Sequence, residues 1–286
     1  MPFLAILRYD LKTLVGSWMV RLWLVGTALL TLLILMFNWG SMPSSLLIAT
    51  LLFPYLIVPW FLVVMILGVE PVAGSRVEVL ADGILSRPIT RYEYLLAVWA
   101  ARVALVLGGY FLVIVPAVIL VATAQRHAPE DHVTLYGIVA SLGVVGLVLT
   151  LQVSLAFLAG TVLRRPLLAI VVLLACWYPA DAILDVFSLE SFSPVTLNRA
   201  LPFLLRQPWR SEAGSKEGIG DLTALVQSVE KLADVFGVAS QPQPRRPGFF
   251  RGDFHDFSLL RVLLGYGLPT LACVGLATLS FCRRDL

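Results

Sequence analysis

Long stretches of this sequence stay apolar for about the 20 residues that carry a helix across a bilayer core of roughly 30 Å. Hydrophobic residues make up 59% of the 286-residue chain and charged ones only 14%, against roughly 25% charged in ordinary soluble domains. A soluble core of this length would still need a charged surface. The chain therefore reads as all-α, a polytopic transmembrane helical bundle of six spans. An N-terminal interfacial amphipathic helix precedes them, and the fifth span is broken.

Phe3, Leu4, Leu7, Leu11, Leu14 and Val15 recur at helical spacing, with Arg8 and Lys12 on the other face. That pattern predicts a helix lying flat in the headgroup region, and Gly16-Ser17 lets the chain turn into the membrane. Arg8, Asp10 and Lys12 stand where a signal peptide would place its apolar region, so the segment is expected to be retained. The first span is expected near Met19 to Phe37, with Arg21 snorkelling to the interface. The second lies near Ser45 to Val69, kinked at Pro54 and Pro59. The third runs from about Leu95 to Thr123, with Arg102 within snorkelling distance of the surface.

The fourth span covers Leu135 to Leu163. Gly137 with Ser141, and Ala156 with Gly160, have the four-residue spacing that lets helices approach closely. Gln152 reads as an interhelical hydrogen bond, with a place on a pathway as the alternative. Of the fifth run only Leu167 to Tyr178 is uninterrupted, and twelve residues rise only about 18 Å. The helix must continue through Ala182 to Phe187 or break and turn back. The last span is Ser258 to Phe281. Residues 1–187 thus carry spans one to five, 188–257 a loop with an amphipathic helix between Ile219 and Phe236, and 258–286 the sixth span and tail. Cys176, Cys273 and Cys282 lie in or at the end of apolar runs and read as small packing residues.

Orientation follows from the cations on short connections. With the N-terminus inside, eleven Lys and Arg between Arg8 and Arg284 fall on the inner side, against Arg126 alone in the short outer loops. Both termini are therefore expected in the cytoplasm of a cell with this chain in its plasma or inner membrane. Residues 188–257 then fall outside, since loops beyond roughly 60 residues escape the charge rule.

Between the second and third spans comes a polar, sharply broken segment, LSRPITRYEYLL, at 85–96. Val77, Leu80, Ala81, Ile84 and Leu85 share one helical face, with Glu78, Asp82 and Ser86 largely opposite. Pro88 ends this short helix, because Arg87 before it is pushed out of the α region. Thr90-Arg91-Tyr92-Glu93 then fits the S/T-x-x-E capping box that starts the next helix. Such a corner serves either as a lever beneath the bundle or as a plain loop cap facing water.

The stretch EVLADGILSRPITRYEYLLA, 78–97, resembles the signature of the membrane subunits of type 2 ATP-binding cassette exporters. The matching positions are Asp82, Ile84, Leu85, Ser86, Arg87, Pro88, Arg91, Glu93, Tyr94, Leu95 and Leu96; the family's Gly-Thr pair is replaced by Val79 and Leu80. The resemblance implies a permease subunit whose 76–93 segment docks on an ATPase, with Glu78, Asp82, Ser86, Arg87, Pro88, Arg91 and Glu93 as its coupling residues. It implies as partners a separate ATP-binding cassette ATPase, a second permease subunit (the same chain or a relative) and the lipid bilayer, with no nucleic acid. The chain has no G-x-x-x-x-G-K-[S/T] loop to cradle phosphates, so no cofactor is expected on it and ATP is expected on the partner.

Two other classes stay open. An integral membrane enzyme could use the Asp181 and Asp185 pair as acid and base or as a cation site, or His127, Glu130, Asp131 and His132 as a metal group. The plainer readings are polar residues ending a span and solvated loop charges. A non-transporting scaffold would use 188–257 as its binding module.

Overall fold

In a lipid environment a helix satisfies its own backbone, so its side chains need not hide apolar surface. Helix α2 shows that inversion directly. In a computed structural model of the chain, which describes residues 2–56, 60–73, 90–124, 126, 131–163, 165–175, 194–206 and 259–282, α2 covers Trp18–Asn38 and buries Val20, Trp23, Thr27, Thr31 and Leu35. Its outer face carries Leu22, Val25, Leu29, Leu32, Met36 and Phe37, all exposed. The buried threonines donate to carbonyls one turn back, Thr27 to Trp23 and Thr31 to Thr27. An exposed apolar face over a buried face that holds both polar and apolar residues suits a helix facing lipid.

The regular elements among the described residues are helices, and four of them are long and apolar enough to cross a membrane: α2, α5 (Arg91–Thr123), α6 (Leu135–Val162) and α9 (Leu259–Cys282). Shorter ones are α1 (Pro2–Gly16), α3 (Ser44–Leu56), α4 (Trp60–Ala73), α7 (Pro166–Ala175) and α8 (Pro194–Leu205). The run expected as one second span is two helices, α3 and α4; Pro54 is carried inside α3, and Pro59 falls outside the described residues. The remainder of the fifth run, and all of 207–258, are also outside them.

Helix α6 is the axis of the bundle. It runs antiparallel to α5, with the Trp99 indole donating to Ser154 Oγ at 3.0 Å and the Tyr110 hydroxyl to the Leu142 carbonyl at 3.4 Å. It runs parallel to α4 at very close range. A Cβ on Gly160 would stand 2.8 Å from the Val69 carbonyl oxygen, and one on Gly68 would collide with the Ala156 side chain. The expected Ala156 and Gly160 spacing is thus a real helix–helix approach. Gly137 serves likewise at the other end of α6, where a Cβ would sit 2.5 Å from the Leu205 backbone of α8.

Trp23 and Leu24 pack against Gly109, and the Trp39 carbonyl meets Arg126. This register sets the start of α2 beside residues near 104 of α5. Helix α5 therefore runs on about 20 Å past the start of α2. Along that projection pack Ile6 of α1, Phe157 of α6, and Ala277 and Phe281 of α9.

Helix α1 forms as expected but turns differently. Ile6, Leu7, Asp10 and Leu14 face inward, while Leu4 and Val15 are exposed. The α1–α2 turn falls at the expected place: Ser17 caps α2 by accepting from the Val20 N–H at 3.3 Å.

Candidate functional site

Of the residues singled out at the polar corner, Glu78, Asp82, Ser86, Arg87 and Pro88 lie outside the described residues. Its exit is described. Thr90 stands in extended backbone before α5, and its N–H donates to Glu93 Oε2 at 3.3 Å, forming the expected capping box. Arg91 opens the helix.

Three turns into α5, Arg102 departs from expectation. It does not snorkel; it is only 5% exposed. Its Nη1 donates to Asp10 Oδ2 of α1 at 2.7 Å and to the Val98 carbonyl at 2.8 Å, and its Nε donates to the Leu67 carbonyl of α4 at 3.1 Å. One guanidinium thus ties three helices.

The sequence explains why Leu67 can accept. In an α-helix its carbonyl would take the N–H of residue 71, and residue 71 is proline, which has none. The Arg102 guanidinium fills that place from outside. Asp10 completes the junction by neutralising the buried cation, since an unpaired charge there would be costly. Tyr94, half-buried, lies within electrostatic reach of both Asp10 and Arg102. Helix α4 ends at Ala73, immediately before the polar corner, and α5 begins immediately after it. The Arg102 junction therefore fixes both roots of the corner to each other and to α1.

The opposite end of the bundle carries a second polar knot. Asp131 Oδ2 accepts the Ser45 N–H at 2.9 Å, and Asp131 Oδ1 pairs with Arg206 Nε at 2.9 Å. Arg206 Nη2 donates to Ser45 Oγ at 3.1 Å. Beside it, Arg126 donates to Ser44 Oγ at 2.6 Å and to the Trp39 carbonyl at 3.2 Å, with its guanidinium over the Trp39 ring. The Thr134 N–H donates to the Leu205 carbonyl at 3.0 Å. Helix α8 is thereby clasped to the starts of α3 and α6. Burial alone would raise the Asp131 carboxyl, but the Ser45 hydrogen bonds and the Arg206 charge outweigh it and hold it below the ordinary range.

Sequence reasoning treated Asp131 as a solvated loop charge; its side chain is 6% exposed and pinned. Among the described residues no cluster of His, Cys, Asp and Glu could hold a metal ion. His127, Glu130, Asp181 and Asp185 lie outside them. Gln152 corrects a second expectation: it is fully buried, yet neither polar atom of its amide has a hydrogen-bond partner. No protein-family model, curated protein or solved structure matches the chain.

Proposed function

We propose that this chain is the permease subunit of an ATP-binding cassette exporter, a six-span bundle whose 76–93 segment takes mechanical work from a separate ATPase. The Arg102 junction carries the reading. A lever needs roots that do not splay when its tip is pushed, and Arg102 locks the end of α4, the start of α5 and the interfacial helix α1 into one unit. Force on the corner then tilts α4 and α5 together instead of bending the connection. The close parallel seam of α4 on α6, at Gly68 and Gly160, passes that tilt to the central helix.

The α1 end of the bundle is assigned to the cytoplasm, where the positive residues collect, and the Asp131 knot to the outer face. In this reading α3 and α4 together form the second span, and α7 with α8 frame the broken fifth. A second permease subunit, the same chain or a relative, and two ATPase subunits complete the machine, with the exposed apolar belts meeting lipid or that second subunit.

The test is capture of the full-length chain from its own membranes. An ATP-binding cassette ATPase should co-purify and hydrolyse ATP. Reversing two charges of the corner, Asp82→Lys with Arg91→Glu, should leave the spans assembled and hydrolysis in place while transport is lost. A double variant that transports normally ends the lever reading, and a chain that transports with no ATPase bound ends the permease reading altogether.

A further inference from the structure

A buried polar side chain in an apolar bundle normally has a bonding partner, because leaving a carboxamide unpaired costs free energy. The buried serines, threonines and arginine among those described follow that rule, and Gln152 does not. Thr27, Thr31, Ser141, Ser154, Thr161 and Thr270 donate to carbonyls of their own helices. Ser45 and Arg102 belong to the two knots. Gln152 has neither kind of bond, though it is 0% exposed and keeps all its donors and acceptors.

Its own helix offers nothing. Of the residues three, four and seven positions away on the same face, Val145, Val148, Leu149 and Ala156 are buried and apolar, and Leu155 and Ala159 are half-buried and apolar. Nor is Gln152 at an end of α6: it stands about 25 Å along the axis from Leu135 and about 15 Å from Val162. One residue on, Val153 lies against Gly68 of α4, and two on, Ser154 meets Trp99 of α5. The orphan amide thus stands at the level where three helices are drawn together.

We propose that Gln152 is an internal binding site for a small neutral hydrogen-bonding molecule, with water as its resident ligand. A carboxamide offers donors and acceptors together but no net charge, so it suits a partner that does both and gives nothing to offset the dehydration of an ion. Buried water characteristically makes about three hydrogen bonds to such groups. The site does not depend on the permease reading.

The test uses the purified full-length protein with Cys176, Cys273 and Cys282 replaced by Ser. Gln152→Cys and Leu149→Cys are compared for reaction with 2-aminoethyl methanethiosulfonate. Only the thiolate reacts, and a thiolate needs water beside it, so Gln152→Cys should label about tenfold faster or more than its apolar neighbour. Labelling no faster than at Leu149→Cys overturns the proposal. A second measurement guards against misfolded cysteine variants. Gln152→Met keeps the volume and removes the amide, and should leave the melting temperature unchanged or raise it. A clear fall would mean that the amide is a structural bond between helices, and would overturn the proposal equally. Neither measurement involves an ATPase, so failure here and failure of the permease reading are separate outcomes.

Discussion

Arg102→Met removes the guanidinium and keeps most of the side chain's length. The Val98 carbonyl loses little, because the backbone N–H of residue 102 still bonds it within α5. Leu67 loses the Arg102 donor in a position where Pro71 supplies none, a deficit of about 1–3 kcal/mol for a buried carbonyl. Asp10 loses a charged hydrogen bond, which in general contributes about 1.5–3 kcal/mol. Its side chain is 24% exposed, so water recovers part of that. The sum is about 2–4 kcal/mol, a fall in melting temperature of roughly 3–7 °C for a chain of this size. The sharper measurement adds Pro71→Ala, which restores an N–H to Leu67. Proline-to-alanine in a helix is stabilising in its own right, so the informative quantity is the difference between backgrounds. Pro71→Ala should help the Arg102→Met protein more than the parent, by roughly 1–2 kcal/mol of coupling. Thermal unfolding of the four purified proteins, followed by circular dichroism or by the loss of the monodisperse chromatography peak, reads it. Equal gains in the two backgrounds would refute the claim that Arg102 stands in for the missing donor.

Gly160→Leu should prevent α4 and α6 from closing, with loss of the folded species on size-exclusion chromatography, while Gly143→Leu on the same helix, which has open space for a Cβ, should be tolerated. Asp131 titrates lower in the folded chain than its ordinary 3.8. Its contribution is therefore present above that value and lost as pH falls through the depressed one, so the melting temperature should drop below about pH 4. Asp131→Asn should lower the melting temperature near neutral pH and flatten that acid slope; an unchanged slope would mean that Asp131 is not the titrating group.

Much of the bundle was written in local pattern. Hydrophobic length placed α2, α5, α6 and α9 within a few residues, because run length and helical rise act through neighbours in sequence. The capping box at Thr90 and the small residues at Gly137, Ala156 and Gly160 were visible for the same reason. The junctions were not, since Arg102 meets Asp10 across 92 positions and Arg206 meets Ser45 across 161. Yet each left a local trace that periodicity alone passes over. Asp10 continues the stripe of Phe3, Leu7 and Leu14, an acid on the face that packs inward. Pro71 announces that some carbonyl a turn earlier must look elsewhere. In water either oddity would be solved by solvent. Between tightly packed helices solvent is scarce, so an acid on an inner face and a carbonyl without a donor both call for a cation, and Arg102 is a cation inside an apolar run. Unpaired polar demands, counted residue by residue, pair these three before any packing is known. Gln152 is a demand that this accounting leaves over.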